Sequence, residues 1–137
     1  MNKKIVVLFG ILFVLLVSIA AYFFYYTGAS QPAAFPNHHS ILTGINELQS
    51  EIQAETVQDT IFLTDRDVFV PFISNEGTYG SSYWTWKRGK WRIAHIEENV
   101  DLRIWKVNPN DPSTFHFVWN LPPNDEVHHV SLYLTKS

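Results

Sequence analysis

The longest run of apolar positions covers residues 5–26, which read IVVLFGILFVLLVSIAAYFFYY and contain no charge. At about 1.5 Å of rise per residue, a helix of this length extends roughly 33 Å, enough to cross a bilayer core of about 30 Å. Lys3 and Lys4 precede the run, and no Asp, Glu, Lys or Arg follows it until Glu47. Because basic residues mark the cytoplasmic side of a membrane helix, the pattern predicts a transmembrane helix with residues 1–4 inside the cell and the rest outside.

A cleaved signal peptide is the alternative for this run, because it also has a basic start and an apolar core. A signal core is about 7–15 residues long, so this run is longer than expected, although Thr27 and Ala29 would permit cleavage near Ala29. The consecutive aromatic residues at 22–26 suit the headgroup layer and fit poorly beside a cleavage site. The sequence therefore favours a retained anchor, with secretion after cleavage as the alternative.

The spacing of apolar residues changes after the anchor. Residues 27–40 contain two prolines among small residues and predict a juxtamembrane linker. In residues 41–56, apolar side chains recur at intervals of four, three and four positions, at Ile41, Ile45, Leu48 and Ile52. That spacing predicts one amphipathic helix with Ser40 as its N-cap, and we expect it to pack on the domain's own sheet.

Short β-branched and aromatic runs then alternate with turn residues, which predicts strands. The predicted strands cover residues 60–64, 68–74, 79–87, 90–97, 100–107, 113–121 and 127–135. Pro71 cannot donate to a ladder, so its strand is expected at a sheet edge or with a bulge. Since no helical pattern separates the strands, residues 41–137 are predicted to form an extracytoplasmic α+β domain of one helix and an antiparallel meander of six or seven strands. An all-β sandwich is the alternative.

The hairpin predicted at 79–97 contains the aromatic side chains best suited to ligand contact. Arg88 and Gly89 supply a two-residue connection. If Lys87 pairs with Lys90, strand alternation places four apolar side chains on one face, namely Trp84, Trp86, Trp91 and Ile93. An exposed face of this kind would form a platform for sugar rings. Large apolar faces are more often buried, so we expect the three tryptophans to form core, and the platform applies only if they are exposed.

The turn of the same hairpin collects four basic side chains, Lys87, Arg88, Lys90 and Arg92. Outside Lys3 and Lys4, eight basic residues stand against thirteen acidic ones, a formal charge of −5. This balance argues against nucleic acid as a partner and against broad adhesion to anionic lipid. The basic cluster is a local exception and a candidate contact for an envelope polymer or for headgroups near the anchor. The simpler explanation is that an exposed turn carries charge for solubility.

Catalytic and metal-binding patterns are missing from the sequence. The chain has no cysteine, which excludes disulfides and thiol chemistry. His95 and Glu97 share a strand face and would supply two metal ligands, but the sequence fixes no third. The serines lack the Gly-x-Ser-x-Gly pattern of a nucleophile elbow. We therefore predict no enzyme activity, no catalytic or metal site and no cofactor.

Together these patterns predict a single-pass membrane protein whose outer domain is a non-enzymatic binding or accessory module of the cell envelope. Its partners would be the membrane, through residues 5–26, and an envelope polymer or another membrane protein. The alternatives are a carbohydrate-binding module that uses the tryptophan face, and a small hydrolase. Exposed indoles would favour the first alternative, whereas a cleft that joins His95 and Glu97 to another titratable group would favour the second.

Overall fold

The computed structural model describes residues 2–26, 31–98 and 102–124. Within these ranges, two α-helices precede seven strands. The helices are α1 (Lys3–Tyr26) and α2 (His38–Leu48), and the strands are β1 (Ala54–Val57), β2 (Ile61–Phe62), β3 (Asp67–Ser74), β4 (Tyr79–Lys87), β5 (Lys90–Glu97), β6 (Arg103–Lys106) and β7 (Phe115–Val118). The α+β class with an apolar N-terminal helix is confirmed. The strand predicted at 127–135 lies outside the described residues.

The helix α1 is long and apolar enough to cross a membrane. All of its side chains are exposed, so it is not a core helix of the domain. Ser18 Oγ donates a hydrogen bond of 2.8 Å to the carbonyl of Val14, which satisfies its hydroxyl inside the helix. A polar group in lipid needs such an internal partner. The length and composition of α1 show that it could span a bilayer. A signal sequence meets the same criteria, so they do not distinguish a retained anchor from a cleaved one.

The strands form two antiparallel sheets. The larger sheet has the order β1–β3–β4–β5, and β2 also pairs with β3. In the smaller sheet, β6 and β7 pair with each other. The meander expected from the sequence therefore runs through β3, β4 and β5, whereas β6 and β7 form a separate hairpin in the described part of the chain.

The helix α2 is shorter than its apolar spacing predicts. The predicted helix covered residues 41–56, but α2 ends at Leu48 and β1 begins at Ala54. Ile52 continues the helical spacing and is buried, yet it lies in the turn between the two elements. A buried residue in the turn therefore has the spacing that the next apolar residue of the helix would have.

Two asparagine side chains form hydrogen bonds with the backbone, one at the start of α2 and one between α2 and β1. Asn37 is the N-cap of α2 in place of the predicted Ser40, because Asn37 Oδ1 accepts a hydrogen bond of 2.9 Å from the Ser40 N–H. Asn46 pairs with the backbone of Ala54 as a neighbouring strand would. Its Oδ1 accepts from the Ala54 N–H at 2.7 Å, and its Nδ2 donates to the Ala54 carbonyl at 2.9 Å. Asn46 therefore attaches α2 to the start of β1.

Pro71 occupies an interior strand, so the prediction of an edge strand or bulge there is wrong. One side of β3 pairs with β4, and the other side pairs with β1 and β2. Pro71 falls between the stretches paired with β1 and with β2, where Gln58 N–H donates to the Pro71 carbonyl at 2.9 Å. The break between β1 and β2 removes the need for the N–H that proline lacks.

Two hydrophobic clusters cover opposite faces of the larger sheet. The cluster between this sheet and α2 consists of Ile41, Ile45, Ile52, Ala54, Val57, Val68, Val70, Phe72 and Trp84. The cluster beneath the β6–β7 hairpin consists of Phe69, Tyr83 and Val118, with Leu63 and Trp105 packed against it. The domain therefore has three layers, with α2 on one face of the sheet and the β6–β7 hairpin on the other.

Polar contacts fix the β6–β7 hairpin to the sheet. Asn120 is buried, and its Nδ2 donates to the Gly80 carbonyl at 2.7 Å and to Gln58 Oε1 at 2.8 Å. Arg103 on β6 forms an ion pair with Glu97 on β5, which is 8% exposed. Removing Arg103 would leave the buried Glu97 carboxylate without its partner, and removing Asn120 would leave the Gly80 carbonyl without this donor, so both contacts hold the hairpin in place.

The folded domain begins inside the linker that was predicted at 27–40. Phe35 packs edge-to-face on Trp84 and Trp91, with ring centroids 5.5 and 4.9 Å away. Trp91 Nε1 also donates a hydrogen bond of 2.9 Å to the carbonyl of Ala33. The chain is therefore attached to the sheet from Ala33 onward, which shortens the free connection after α1.

Replacing Asn46 with alanine should lower the free energy of unfolding by about 1–3 kcal/mol, because both backbone groups of Ala54 lose a part-buried partner. Chemical denaturation of the detergent-solubilised chain measures this change. Glu47→Ala is the control, since Glu47 is the next residue of α2 and is exposed. Equal stability of the two variants would contradict the role assigned to Asn46.

Candidate functional site

The hairpin formed by β4 and β5 has the register that strand alternation predicted. The pairs are Lys87 with Lys90, Trp86 with Trp91, and Trp84 with Ile93. Arg88 and Gly89 form the connection with φ angles of 54° and 71°. Positive φ at both central residues is the geometry of a tight hairpin turn. Local sequence therefore determines which side chains share each face near the turn.

The tryptophan face of the hairpin packs against the start of the domain and α2. Trp84 and Trp86 are 5% and 7% exposed, and Trp91 is half-buried beneath Phe35. Trp84 Nε1 donates a hydrogen bond of 2.9 Å to Ser82 Oγ. An aromatic platform requires exposed rings, and Trp84 and Trp86 do not meet that condition.

A cleft of about 730 Å³ opens near the hairpin turn, beside the end of β6. Its walls come from residues 66–67, 85–88 and 105–107, together with Pro109 and Ala94. Tyr26, the last residue of α1, also lies on its lining. Small-molecule sites have volumes of about 300–1,000 Å³, so this cleft is large enough for a ligand.

The charge of the cleft is opposite to that of the domain. Four basic side chains and one acidic side chain line it, namely Arg66, Lys87, Arg88, Lys106 and Asp67. The Asp67 carboxylate is partly used within the protein, because its Oδ2 accepts a hydrogen bond of 2.8 Å from Thr64 Oγ1. Concave walls concentrate the field of the charges that line them. The cleft is therefore suited to an anion, although the chain beyond Lys4 has a formal charge of −5.

The structure divides the basic cluster that the sequence singled out. Lys87 and Arg88 line the cleft, whereas Lys90 and Arg92 are not among its lining residues. Arg92 lies on the neighbouring strand, and its Nε donates to the Lys87 carbonyl at 3.4 Å. The predicted set of four thus contains two cleft residues and two neighbours on the same hairpin.

Arg66 and Lys106 are cleft residues that the sequence did not identify. Each lies roughly twenty positions from the hairpin turn. Trp86 N–H donates to the Arg66 carbonyl at 2.8 Å, which holds Arg66 beside the turn. Lys106 lines the cleft because β6 packs over the sheet, with the Trp105 ring stacked 4.8 Å from that of Tyr83. Its Nζ lies 5.3 Å from the centroid of the Phe115 ring on β7. Long-range packing brings the four cations together, and no local sequence motif predicts this arrangement.

Trp105 adds a neutral hydrogen-bond donor to the wall of the cleft. Its Nε1 is buried and has no hydrogen-bond partner among the described residues. An indole N–H can only donate. A buried donor without a partner costs about 1–3 kcal/mol, which an oxygen acceptor beside it would recover.

A second group of titratable side chains joins β5 to β6 and does not line the cleft. His95 Nε2 lies 3.8 Å from Glu97 Oε1, and Glu97 is paired with Arg103. Burial, followed by the nearby Glu97 charge, raises the pKa of Tyr83 above its usual 10.0, so its phenol is protonated at neutral pH. No set of three or more His, Cys, Asp or Glu side chains in the described ranges is arranged to hold a metal ion.

Comparisons of the chain with protein-family models, curated proteins and solved structures found no match.

Replacing Trp86 with alanine should lower the free energy of unfolding by about 3–5 kcal/mol, because it removes a large buried side chain that packs on Trp91. Trp119→Ala is the control and should cost much less, since Trp119 is 47% exposed. Thermal unfolding of the full chain in detergent measures both. A Trp86→Ala variant that keeps its Tm and loses binding to a neutral glycan would instead support the aromatic platform.

Proposed function

We propose that the chain is a single-pass membrane protein whose outer domain is a non-enzymatic module that binds an anionic ligand. In this proposal α1 is retained as the anchor, residues 1–4 lie in the cytoplasm, and the domain lies outside the cell membrane. The observation that carries it is the convergence of four cations in one cleft, from Arg66, Lys87, Arg88 and Lys106. An envelope polymer with phosphate or carboxylate groups, or an acidic surface of a membrane component, fits this charge.

Charge and aromatic residues at the two ends of α1 support the orientation. Lys3 and Lys4 precede its apolar stretch, and basic residues favour the cytoplasmic side. Residues 22–26 are all aromatic, which suits the opposite headgroup layer. Secretion after cleavage near Ala29 remains the alternative, because a signal sequence begins in the same way.

The chemistry of the cleft favours binding over catalysis. Its described lining offers cations, the hydroxyls of Tyr26 and Thr85, and a single carboxylate, Asp67. Acid–base catalysis requires a positioned proton acceptor, and covalent catalysis requires an activated nucleophile. The hydrolase alternative depended on His95 and Glu97, which lie outside the cleft lining. The carbohydrate alternative depended on exposed tryptophans, and Trp84 and Trp86 are buried.

The proposed topology predicts that protease added to intact cells digests the domain, while an epitope tag placed before Lys3 survives in the membrane fraction. The positive residues before α1 keep that end inside, and the retained helix keeps the tag in the membrane. Immunoblotting of fractions with and without protease measures this. Protection of a C-terminal tag, or release of the domain into the medium without its N-terminus, would contradict the proposal.

The proposed ligand class predicts that the detergent-solubilised full chain binds polyphosphate more tightly than neutral dextran, and less tightly as salt increases. The double variant Arg88→Gln/Lys106→Gln should weaken polyphosphate binding about tenfold or more, because two charge-assisted contacts are lost from the cleft. Isothermal titration calorimetry measures the Kd.

The double variant Lys90→Gln/Arg92→Gln is the matched control for this measurement. It also removes two positive charges, but neither residue lines the cleft. A much smaller loss of affinity is therefore expected. Preferential binding to dextran that neither double variant changes would contradict the anion-binding proposal and favour the carbohydrate module.

A further inference from the structure

The length of the chain between α1 and the sheet limits how far the cleft can lie from a membrane. The helix α1 ends at Tyr26, and Ala33 is fixed to the sheet through its hydrogen bond with Trp91. The seven steps from Tyr26 to Ala33 span at most about 25 Å when fully extended. The attachment point of the domain therefore stays within that distance of the end of α1.

The attachment point lies at the same end of the hairpin as the cleft. Trp91 pairs with Trp86 next to the turn, and Lys87 and Arg88 follow directly. Tyr26 lies on the cleft lining. Tyr25 packs so closely on Gly89 in the turn that a Cβ added there would lie 2.6 Å from the tyrosine hydroxyl. The cleft consequently faces the end of α1.

The charges of the domain restrict which part of it can meet an anionic surface. The chain beyond Lys4 has a formal charge of −5, which opposes broad contact with anionic lipid. Salt screens distant charges with a Debye length of about 8 Å at physiological ionic strength, so the charges in direct contact dominate. In the cleft those charges are mainly positive, with Asp67 as the single acidic side chain of the lining.

We infer that the cleft binds the phosphate of an anionic phospholipid in the bilayer that α1 crosses. Arg66 and Arg88 supply planar guanidinium groups that match phosphate geometry, and Lys87 and Lys106 supply point charges. The recognised chemistry is a phosphate oxyanion, which soluble phosphates also carry. The short tether favours the lipid, because it keeps the cleft at a high effective concentration of headgroups. This inference rests on the proposed function in one respect, which is that α1 stays in the membrane.

The test is native mass spectrometry of the full chain in detergent, titrated with phosphatidylglycerol or with phosphatidylcholine. We expect the chain to retain phosphatidylglycerol about tenfold more tightly than phosphatidylcholine, because only the former has a net negative headgroup. Arg88→Gln/Lys106→Gln should abolish this preference, whereas Lys90→Gln/Arg92→Gln should retain it. All four substituted side chains are exposed, so the variants are expected to fold.

Three outcomes would overturn the lipid assignment. The first is equal retention of both lipids by the unmodified chain, and the second is equal loss of preference in both double variants. The third is displacement of phosphatidylglycerol by an equal concentration of glycerol 1-phosphate, which would identify a soluble phosphate as the ligand. If polyphosphate still binds through the cleft in these cases, the proposed function stands without the lipid. If polyphosphate binding also fails, the anion-binding proposal falls as well.

Discussion

The stacking of Trp105 on Tyr83 is the contact on which the candidate site depends. It places the β6–β7 hairpin on the face of the sheet opposite α2, with the two ring planes 18° from parallel. The ion pair between Arg103 and Glu97 supports the same placement. Without this layer Lys106 would have no fixed position relative to the β4–β5 turn, and the cleft would lose one wall. The core of the domain and its candidate site are therefore held by the same packing.

Features that depend on neighbouring residues could be predicted from the sequence. The β4–β5 register follows from a two-residue connection and strict alternation, and the structure reproduces all three predicted pairs. The end of α2 could not be predicted, because Ile52 continues the apolar spacing while Asn46 pairs with the backbone of Ala54. The prediction that Pro71 lies in an edge strand or at a bulge was also wrong because of long-range pairing. The gap between β1 and β2 that accommodates it depends on how two other segments pair with β3.

The candidate site shows the same division between local and long-range information. Lys87 and Arg88 could be identified from the sequence because they belong to a cluster of four cations at one hairpin turn. Arg66 and Lys106 could not be assigned to the site from the sequence, because they lie in a different loop and a different strand and neither belongs to the cluster at 87–92. The acidic average of the domain also concealed the site. Local field depends on which charges a fold brings together, and composition gives only their sum.

The hydrogen bond from Trp91 to Ala33 helps to determine which end of β4 lies near the end of α1. It holds the β4–β5 turn close to the start of the domain, and Tyr26 lies beside the same turn, so the opposite end of β4 is the end farther from Tyr26. Strands rise about 3.3 Å per residue, and β4 has nine residues, so the turn at 75–77 lies roughly 25–30 Å from Lys87 along the strand. If α1 is retained in a bilayer with the domain outside, as proposed, a soluble molecule would reach the β3–β4 turn before the basic β4–β5 turn.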